Sequence, residues 1–185
     1  MTAMNFAAKA FAASLLAAAP LAALAQPPAA APPPPPAPLA VANPSYATLV
    51  LEIPVNKPAA LVWAKVGKYC DIQEWFGMTC VMTSGKAGDL GSVRTLNGTT
   101  IEMLVAKTDL SYTYAQPVRQ GVPYNVYHGT LEAKPVTATT SKLIYSLIWD
   151  ESILADDAAR AAAKAGRATR FTAGLQKMKA IAEAN

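Results

Sequence analysis

Two charged residues flank the strongest turn signal in the chain. Asn97-Gly98 is the dipeptide that best marks a β-hairpin, and Arg94 and Glu102 stand on either side of it. A three-residue loop at 97–99 sets Arg94 opposite Glu102 on one face; a two-residue loop pairs 94 with 101 and separates the charges. Turned inward, such a pair must be fully hydrogen-bonded to tolerate burial, and it then orients a polar group of a ligand. A purely structural cross-strand pair is the other reading. Tyr112, Tyr114, Tyr127, Tyr145 and Trp149 alternate along β-rich runs. Aromatic rings cover large apolar areas and tyrosine hydroxyls fix orientation, so these five are candidates for a cavity wall. The same rings filling a solid core is the alternative.

Other reactive types are scarce. His128 is the sole histidine, and its strand phase, shared with Glu132 and Lys134, points it outward. No Gly-x-Ser-x-Gly nucleophile motif is present. The loop from Gly85 to Gly91 lacks the Gly-Lys-Ser/Thr of a phosphate-binding loop and reads as a turn. Two cysteines and one histidine at unrelated spacing make no zinc site, so neither a metal nor any other cofactor is expected.

The flanking sequence places these residues in a compartment. Lys9 is the only charge before an uncharged run, Ala10 to Ala25, that ends in the small-x-small pattern Ala23-Leu24-Ala25. Residues 1–25 read as a secretory signal, with Gln26 as the new N-terminus. The run is broken by Pro20 and is short for a bilayer, which needs about 20 apolar residues. It is followed by no cysteine for lipid attachment, so no stable membrane insertion is expected after cleavage. Residues 26–44 hold nine prolines, five of them consecutive at 32–36, and read as a stiff polyproline II spacer. Loss of Lys9 lowers the formal charge from +4 to +3, too mild for a nucleic-acid surface. The remaining 141 residues, 45–185, suffice for one core. Cys70 and Cys80 are the only cysteines, and in an oxidising compartment this sole, closely spaced pair is expected to be joined, two buried thiols being the alternative.

The elements that must position these side chains follow from period and punctuation. Tyr46–Ile53 alternates as a strand ended by Pro54. Asn56 caps a helix with Pro58 in its first turn, Leu61, Val62, Trp63 and Val66 form its apolar face, and Gly67 ends it. A second short helix runs from Lys68 to about Trp75; Trp63 and Trp75 are its and its neighbour's packing residues. Strands follow at 80–82, 92–96, 100–106, 111–116, 124–133 and 142–149, and 156–184 is one Ala-rich helix. Glu132 and Lys134 facing water turn Tyr127, Gly129, Leu131 and Ala133 inward. On the last strand Leu143, Tyr145, Leu147 and Trp149 share a phase opposite Lys142 and Asp150. This order makes an α+β fold, an antiparallel sheet of about seven strands around one long helix.

The residues also carry a resemblance. Pro58-x-x-Leu61-Val62-Trp63, Gly67-x-x-Cys70-x-Ile72-x-x-Trp75, Gly91-x-Val93-Arg94-x-Leu96-x-Gly98 and Glu102-x-Leu104 resemble the START-like SRPBCC superfamily of polyketide cyclase/dehydrase-like and lipid-transport proteins. Tyr112-x-Tyr114, Asn125-x-Tyr127-x-Gly129 and Phe171-x-x-Gly174-Leu175 extend the match over 46–183. Cys70 and Cys80 match secreted bacterial members; Phe76-Gly77 departs from the His-Pro that relatives often carry after the tryptophan. The resemblance implies a helix-grip fold with a cavity between sheet and last helix, holding a lipid, sterol, polyketide or aromatic ligand. It implies three functions: a periplasmic or secreted binding protein, a cyclase or dehydratase using tyrosine, Arg94 and Glu102, or an accessory protein for a periplasmic oxidoreductase.

The last helix contradicts itself. Phe171, Leu175, Met178 and Ala182 form a core stripe, yet projecting it backward at 100° per residue lands on Arg167, Lys164 and Arg160. Three unpaired buried cations are not tolerable, at several kcal/mol each. Either the helix bends near Gly166, or its first turns overhang the cavity mouth with Arg160 and Lys164 in water and Arg167 at the rim. START-like helices that begin beyond the sheet edge favour the overhang, and Arg167 and Phe171 then complete the candidate ligand set.

Overall fold

The computed structural model describes residues 43–118 and 125–184. The expected signal at 1–25 and all but the last two residues of the spacer lie outside them, as does Tyr124, where the sixth strand is expected to start. One antiparallel sheet contains β1 (Tyr46–Val55), β2 (Cys80–Ser84), β3 (Val93–Leu96), β4 (Thr100–Thr108), β5 (Ser111–Ala115), β6 (Tyr127–Pro135) and β7 (Ser141–Asp150). The helices are α1 (Ala59–Val66), α2 (Ile72–Phe76) and α3 (Asp157–Glu183). Strand order is β1-β7-β6-β5-β4-β3-β2. Short connections therefore build a meander from β2 to β7, and only β1 is placed by a long return.

The local rules explain most element ends. Asn97 and Gly98 both take positive φ, 48° and 71°, and the loop is the three-residue form: Leu96 faces Thr100 and Arg94 faces Glu102. Asp156 caps α3 by accepting from the Ala159 N–H at 2.8 Å. Four expectations shift. Pro54 does not end β1, because β1 is an edge strand whose free side needs no donor there. Asn56 is not the cap of α1; Pro58 holds that position without a side-chain bond, and the Asn56 N–H donates to Glu183 instead. The second helix is shorter than expected, only Ile72–Phe76, ended by Gly77 in the left-handed conformation. Asp150 has the outward phase yet is buried, because its carboxylate collects the N–H groups of Ser45, Asn125 and Ser152.

The concave face of the sheet holds the expected inward residues. Tyr127, Leu131, Ala133, Leu143, Tyr145, Leu147 and Trp149 are all buried, while His128 lies on the opposite phase. Phe171, Leu175, Met178 and Ala182 of α3 pack on this face, the large side chains of Phe171, Leu175 and Met178 each contributing about 1.5–3 kcal/mol. The helix runs unbroken through Gly166, so the expected break is absent. Lys164 is exposed and Arg167 is half-buried, as expected at a rim, but Arg160 is half-buried rather than in water, held by an ion pair with Asp157 at 2.8 Å. Cys70 and Cys80 are joined, with their Cα atoms 5.7 Å apart. The bridge closes the loop that carries α2. Among the described residues, no helix is long and apolar enough to cross a membrane.

Candidate ligand site

Between the sheet, α2 and the overhanging part of α3 lies a cavity of about 390 Å³. Its floor is sheet: Leu96, Thr100, Glu102, Tyr114, Gln116 and Tyr127. Its sides are Ile72, Phe76 and Met78 from the disulfide-closed segment and its surroundings, and Gly166, Arg167, Arg170 and Phe171 from α3. The volume falls in the range of small-molecule sites.

Two glycines make the walls possible. Tyr114 lies across Gly129, where a Cβ would stand 2.4 Å from the ring. Phe76 lies on Gly174 in the same way, 2.4 Å from where a Cβ would be, and meets Phe171 edge-on at 5.1 Å. Phe76 thus forms an apolar wall of the cavity.

The polar floor is an ion pair that is almost completely dehydrated. Arg94 donates to Glu102 Oε2 from Nη2 at 2.6 Å and from Nε at 2.9 Å, and the side chains are 0% and 4% exposed. The third guanidinium nitrogen donates to the Tyr69 carbonyl, and the Tyr69 ring lies 4.1 Å from Arg94 Cζ. The Tyr69 hydroxyl donates to the Glu102 carbonyl at 3.1 Å. The second carboxylate oxygen, Oε1, accepts from Gln116 Nε2 at 3.2 Å. Burial pushes the Glu102 carboxyl up, against the pull of the Arg94 charge and these hydrogen bonds. Tyr114 and Tyr145 share a hydroxyl–hydroxyl bond of 3.0 Å, and burial holds both phenols well above their ordinary value.

The mouth is cationic. Arg167 stacks over Trp149, with Cζ 4.6 Å from the ring, and reaches the Tyr127 ring at 5.8 Å. Its Nη1 donates back to the Ala163 carbonyl at 3.2 Å. Arg170 lies 5.1 Å over Phe76, and Nη2 sits 3.3 Å from Met78 Sδ. Among the described residues neither guanidinium is in an ion pair.

The structure thus brings Glu102, Tyr114, Tyr127, Arg167 and Phe171 to one cavity. The other four candidates stand one layer back. Arg94 lies behind Glu102. Tyr145 is covered by Phe171, ring to ring at 4.5 Å. Trp149 is 1% exposed beneath Arg167. Tyr112 turns to a separate hollow, with Arg94 bracketed between its ring and that of Tyr114. Sequence reasoning did not single out Gln116, Arg170, Phe76 or Tyr69 as members of the site. Arg170 was findable, since it lies three residues beyond Arg167 on the same helix. Gln116, Phe76 and Tyr69 carry no local signal of their role.

A family model described as polyketide cyclase/dehydrase and lipid transport matches residues 46–183. Among solved structures, a protein from Nitrosospira multiformis is 23% identical, with a TM-score of 0.60 over 72% of this chain and 94% of that one. The Zhui aromatase/cyclase from Streptomyces sp. R1128 is 17% identical, with a TM-score of 0.56 over 75% of this chain and 94% of that one. Ara h 8.0201 is 15% identical, with a TM-score of 0.52 over 72% and 98%. No curated protein sequence matches the chain. At these identities the structures share the helix-grip fold, and the match over nearly all of the folded part places this chain in the polyketide cyclase/dehydrase and lipid transport family.

Proposed function

We propose that the protein binds a small hydrophobic ligand in the cavity between sheet and α3, with the ligand's anionic or carbonyl head at the mouth. One observation carries this reading: a cavity with apolar sides and a polar floor, whose mouth holds two guanidiniums that form no ion pair among the described residues. A cation at the edge of an apolar hollow is stabilised by a ligand oxygen that replaces its water. Arg167 is the gate in this reading, its stem along the apolar wall and its charge at the rim. The leader-like N-terminus and the joined cysteines support an exported protein working in the periplasm or beyond the cell.

The test is binding of palmitate and of hexadecane-1-ol to the full chain by calorimetry, with native mass spectrometry of protein purified from the producing cell. Arg167→Leu should leave stability unchanged or raised and cut the preference for palmitate over the alcohol about tenfold, or 1.4 kcal/mol. Tyr127→Ala should weaken both. Equal loss of both ligands in Arg167→Leu, or no effect of Tyr127→Ala on a real binding event, refutes the assignment.

A second reading is favoured by the shielding of Glu102 inside an open cavity. A buried carboxyl whose pKa is raised is suited to proton transfer, and Gln116 and Arg94 fix its two oxygens. In a dehydration its carboxylate would take the proton from the carbon α to a ketone and pass that proton to the β-hydroxyl, which leaves as water as the Cα–Cβ double bond forms. A β-hydroxyketone that is bound but not turned over by the wild type, and equally well bound by Glu102→Gln, excludes this reading and leaves the first intact.

A further inference from the structure

The fold holds a second hollow, away from α3. Its volume is about 540 Å³, larger than the first, and its lining comes from the α1–α2 junction, the β2–β3 loop and the β4–β5 turn. No residue lines both cavities. The Arg94 guanidinium separates them: Tyr114 and Glu102 face the first, Tyr69 and Tyr112 face the second.

The chemistry of the second hollow is distinct. Three aromatic rings meet there: Tyr112 lies 5.7 Å from Trp63 at 52° and 5.4 Å from Tyr69 edge-on at 84°, so one ring offers its face and the others their edges. Trp63 is the one tryptophan of the three that is not buried; its ring rests on Gly67, where a Cβ would stand 2.2 Å away, and also lines the hollow. Leu104 adds an aliphatic side. Three charged side chains line it, Lys68, Lys107 and the half-buried Asp71. Lys107 donates to the Gly88 carbonyl at 2.6 Å, which ties the β4 end to the β2–β3 loop and leaves two of its three donors for a ligand. Lys68 is the second ammonium, and Asp71 is the one carboxylate, already accepting from the Lys68 N–H at 2.9 Å. The lining is therefore net cationic by one charge.

We infer that this hollow is a binding site for a planar aromatic carboxylate, its ring against Trp63 and Tyr112 and its carboxylate at Lys68 and Lys107. Stacking on a fixed aromatic wall selects a flat ligand over a flexible chain, which loses more conformational freedom on binding. The two ammoniums select an anion over a neutral ring. The inference is independent of the ligand assigned to the first cavity.

The experiment uses the full chain with 2-naphthoate and its neutral analogue 2-naphthalenemethanol, followed by calorimetry and by amide chemical shifts. Ala64→Trp, on an exposed α1 position that lines this hollow, fills it; Gly166→Leu, where a Cβ meets nothing within 4 Å, fills the first cavity instead. Both sites are on helix surfaces, and circular dichroism confirms that the variants fold. Shifts at Gly67, Tyr69, Gly88 and Tyr112 are expected, with naphthoate affinity lowered about tenfold or more by Ala64→Trp and changed less than about twofold by Gly166→Leu. Lys68→Gln with Lys107→Gln should weaken 2-naphthoate about fivefold or more and leave the alcohol unchanged. The opposite pattern between the two fillers, or no saturable binding by about 10 mM, overturns the site. Equal loss of both probes in the lysine variant overturns the carboxylate class.

Discussion

Removing the Glu102 carboxylate tests whether the cavity floor is held by charge. In Glu102→Leu, Arg94 loses both bonds to Oε2 and keeps the Tyr69 carbonyl and the rings of Tyr69, Tyr112 and Tyr114 but no anion, while remaining 0% exposed. A guanidinium does not shed its proton, so the charge stays buried and unpaired. Breaking a buried pair on one side costs about 3–5 kcal/mol, a large part of the 5–15 kcal/mol that typically holds a domain. At roughly 2–4 °C per kcal/mol the melting temperature should fall by about 6–20 °C. Arg94→Met with Glu102→Leu removes both charges at similar volume and should recover most of that loss, since an apolar replacement of a buried pair is often neutral or stabilising. Urea and thermal unfolding of the wild type, both single variants and the double variant give the coupling energy. A cost below about 1 kcal/mol for Glu102→Leu, or a double variant as unstable as the two singles added, refutes the reasoning.

Three further outcomes are expected. Thiol titration of denatured, unreduced protein should find no free cysteine, and Cys70→Ser with Cys80→Ser should cost roughly 2–3 kcal/mol for a ten-residue loop; two free thiols would end the idea. Gly174→Ala drives a Cβ to 2.4 Å from Phe76, so it should cost about 1–3 kcal/mol and weaken ligand binding in the first cavity by displacing its wall; unchanged binding places Phe76 outside the site. The two buried carboxyls should give opposite pH trends. Glu102 has a raised value in the fold, so its contribution is full below the unfolded value of about 4.3 and is lost as pH rises through the folded one. Burial acts to raise Asp150, but hydrogen bonds from Ser152, Asn125 and Ser45 outweigh it and hold it low. Its contribution is therefore present above about 3.9 and lost as pH falls through the lowered value. Melting curves from pH 3 to 7 should show the stability advantage over Asp150→Asn shrinking toward acid and that over Glu102→Gln shrinking toward neutrality; parallel curves for either pair contradict the assignment.

What the sequence discloses is what period and punctuation encode. Alternation along β6 and β7 puts Tyr127 and Tyr145 inside and His128 outside without any knowledge of neighbours, because a strand has only two faces. The Asn97-Gly98 turn fixes the register that pairs Arg94 with Glu102. Depth within the inward face is another matter. Trp149 and Tyr127 share a phase and pair across strands, yet one is covered by Arg167 and the other borders the cavity. That difference depends on where α3 crosses the sheet, a long-range fact with no local period. The same holds for Tyr69 and Gln116, which reach the ion pair from a helix junction and from the end of a strand.

The contradiction in α3 proves to be the origin of the cavity. The stripe from Phe171 to Ala182 is apolar and small enough to seat the helix on β1 and β7. Continued toward the N-terminus, the same line carries Arg167, Lys164 and Arg160, and no helix can press those onto an aromatic sheet without leaving charges unpaired. The helix is continuous through Gly166, and only its second half carries the apolar stripe that seats it on the sheet. Leu96, Tyr114 and Tyr127 face the first half of the helix across the 390 Å³ cavity and form part of its floor. Arg167 can then lie flat on Trp149, shielding its ring while its charge faces the mouth. The space and the cation at its mouth thus follow from one feature of the sequence. A chain with leucine at 160, 164 and 167 should close the cavity by drawing α3 onto the sheet, gaining stability and losing every ligand of that site at once. A cavity that stays open in this triple variant would show that the sheet's curvature, not the charge line on α3, holds it apart.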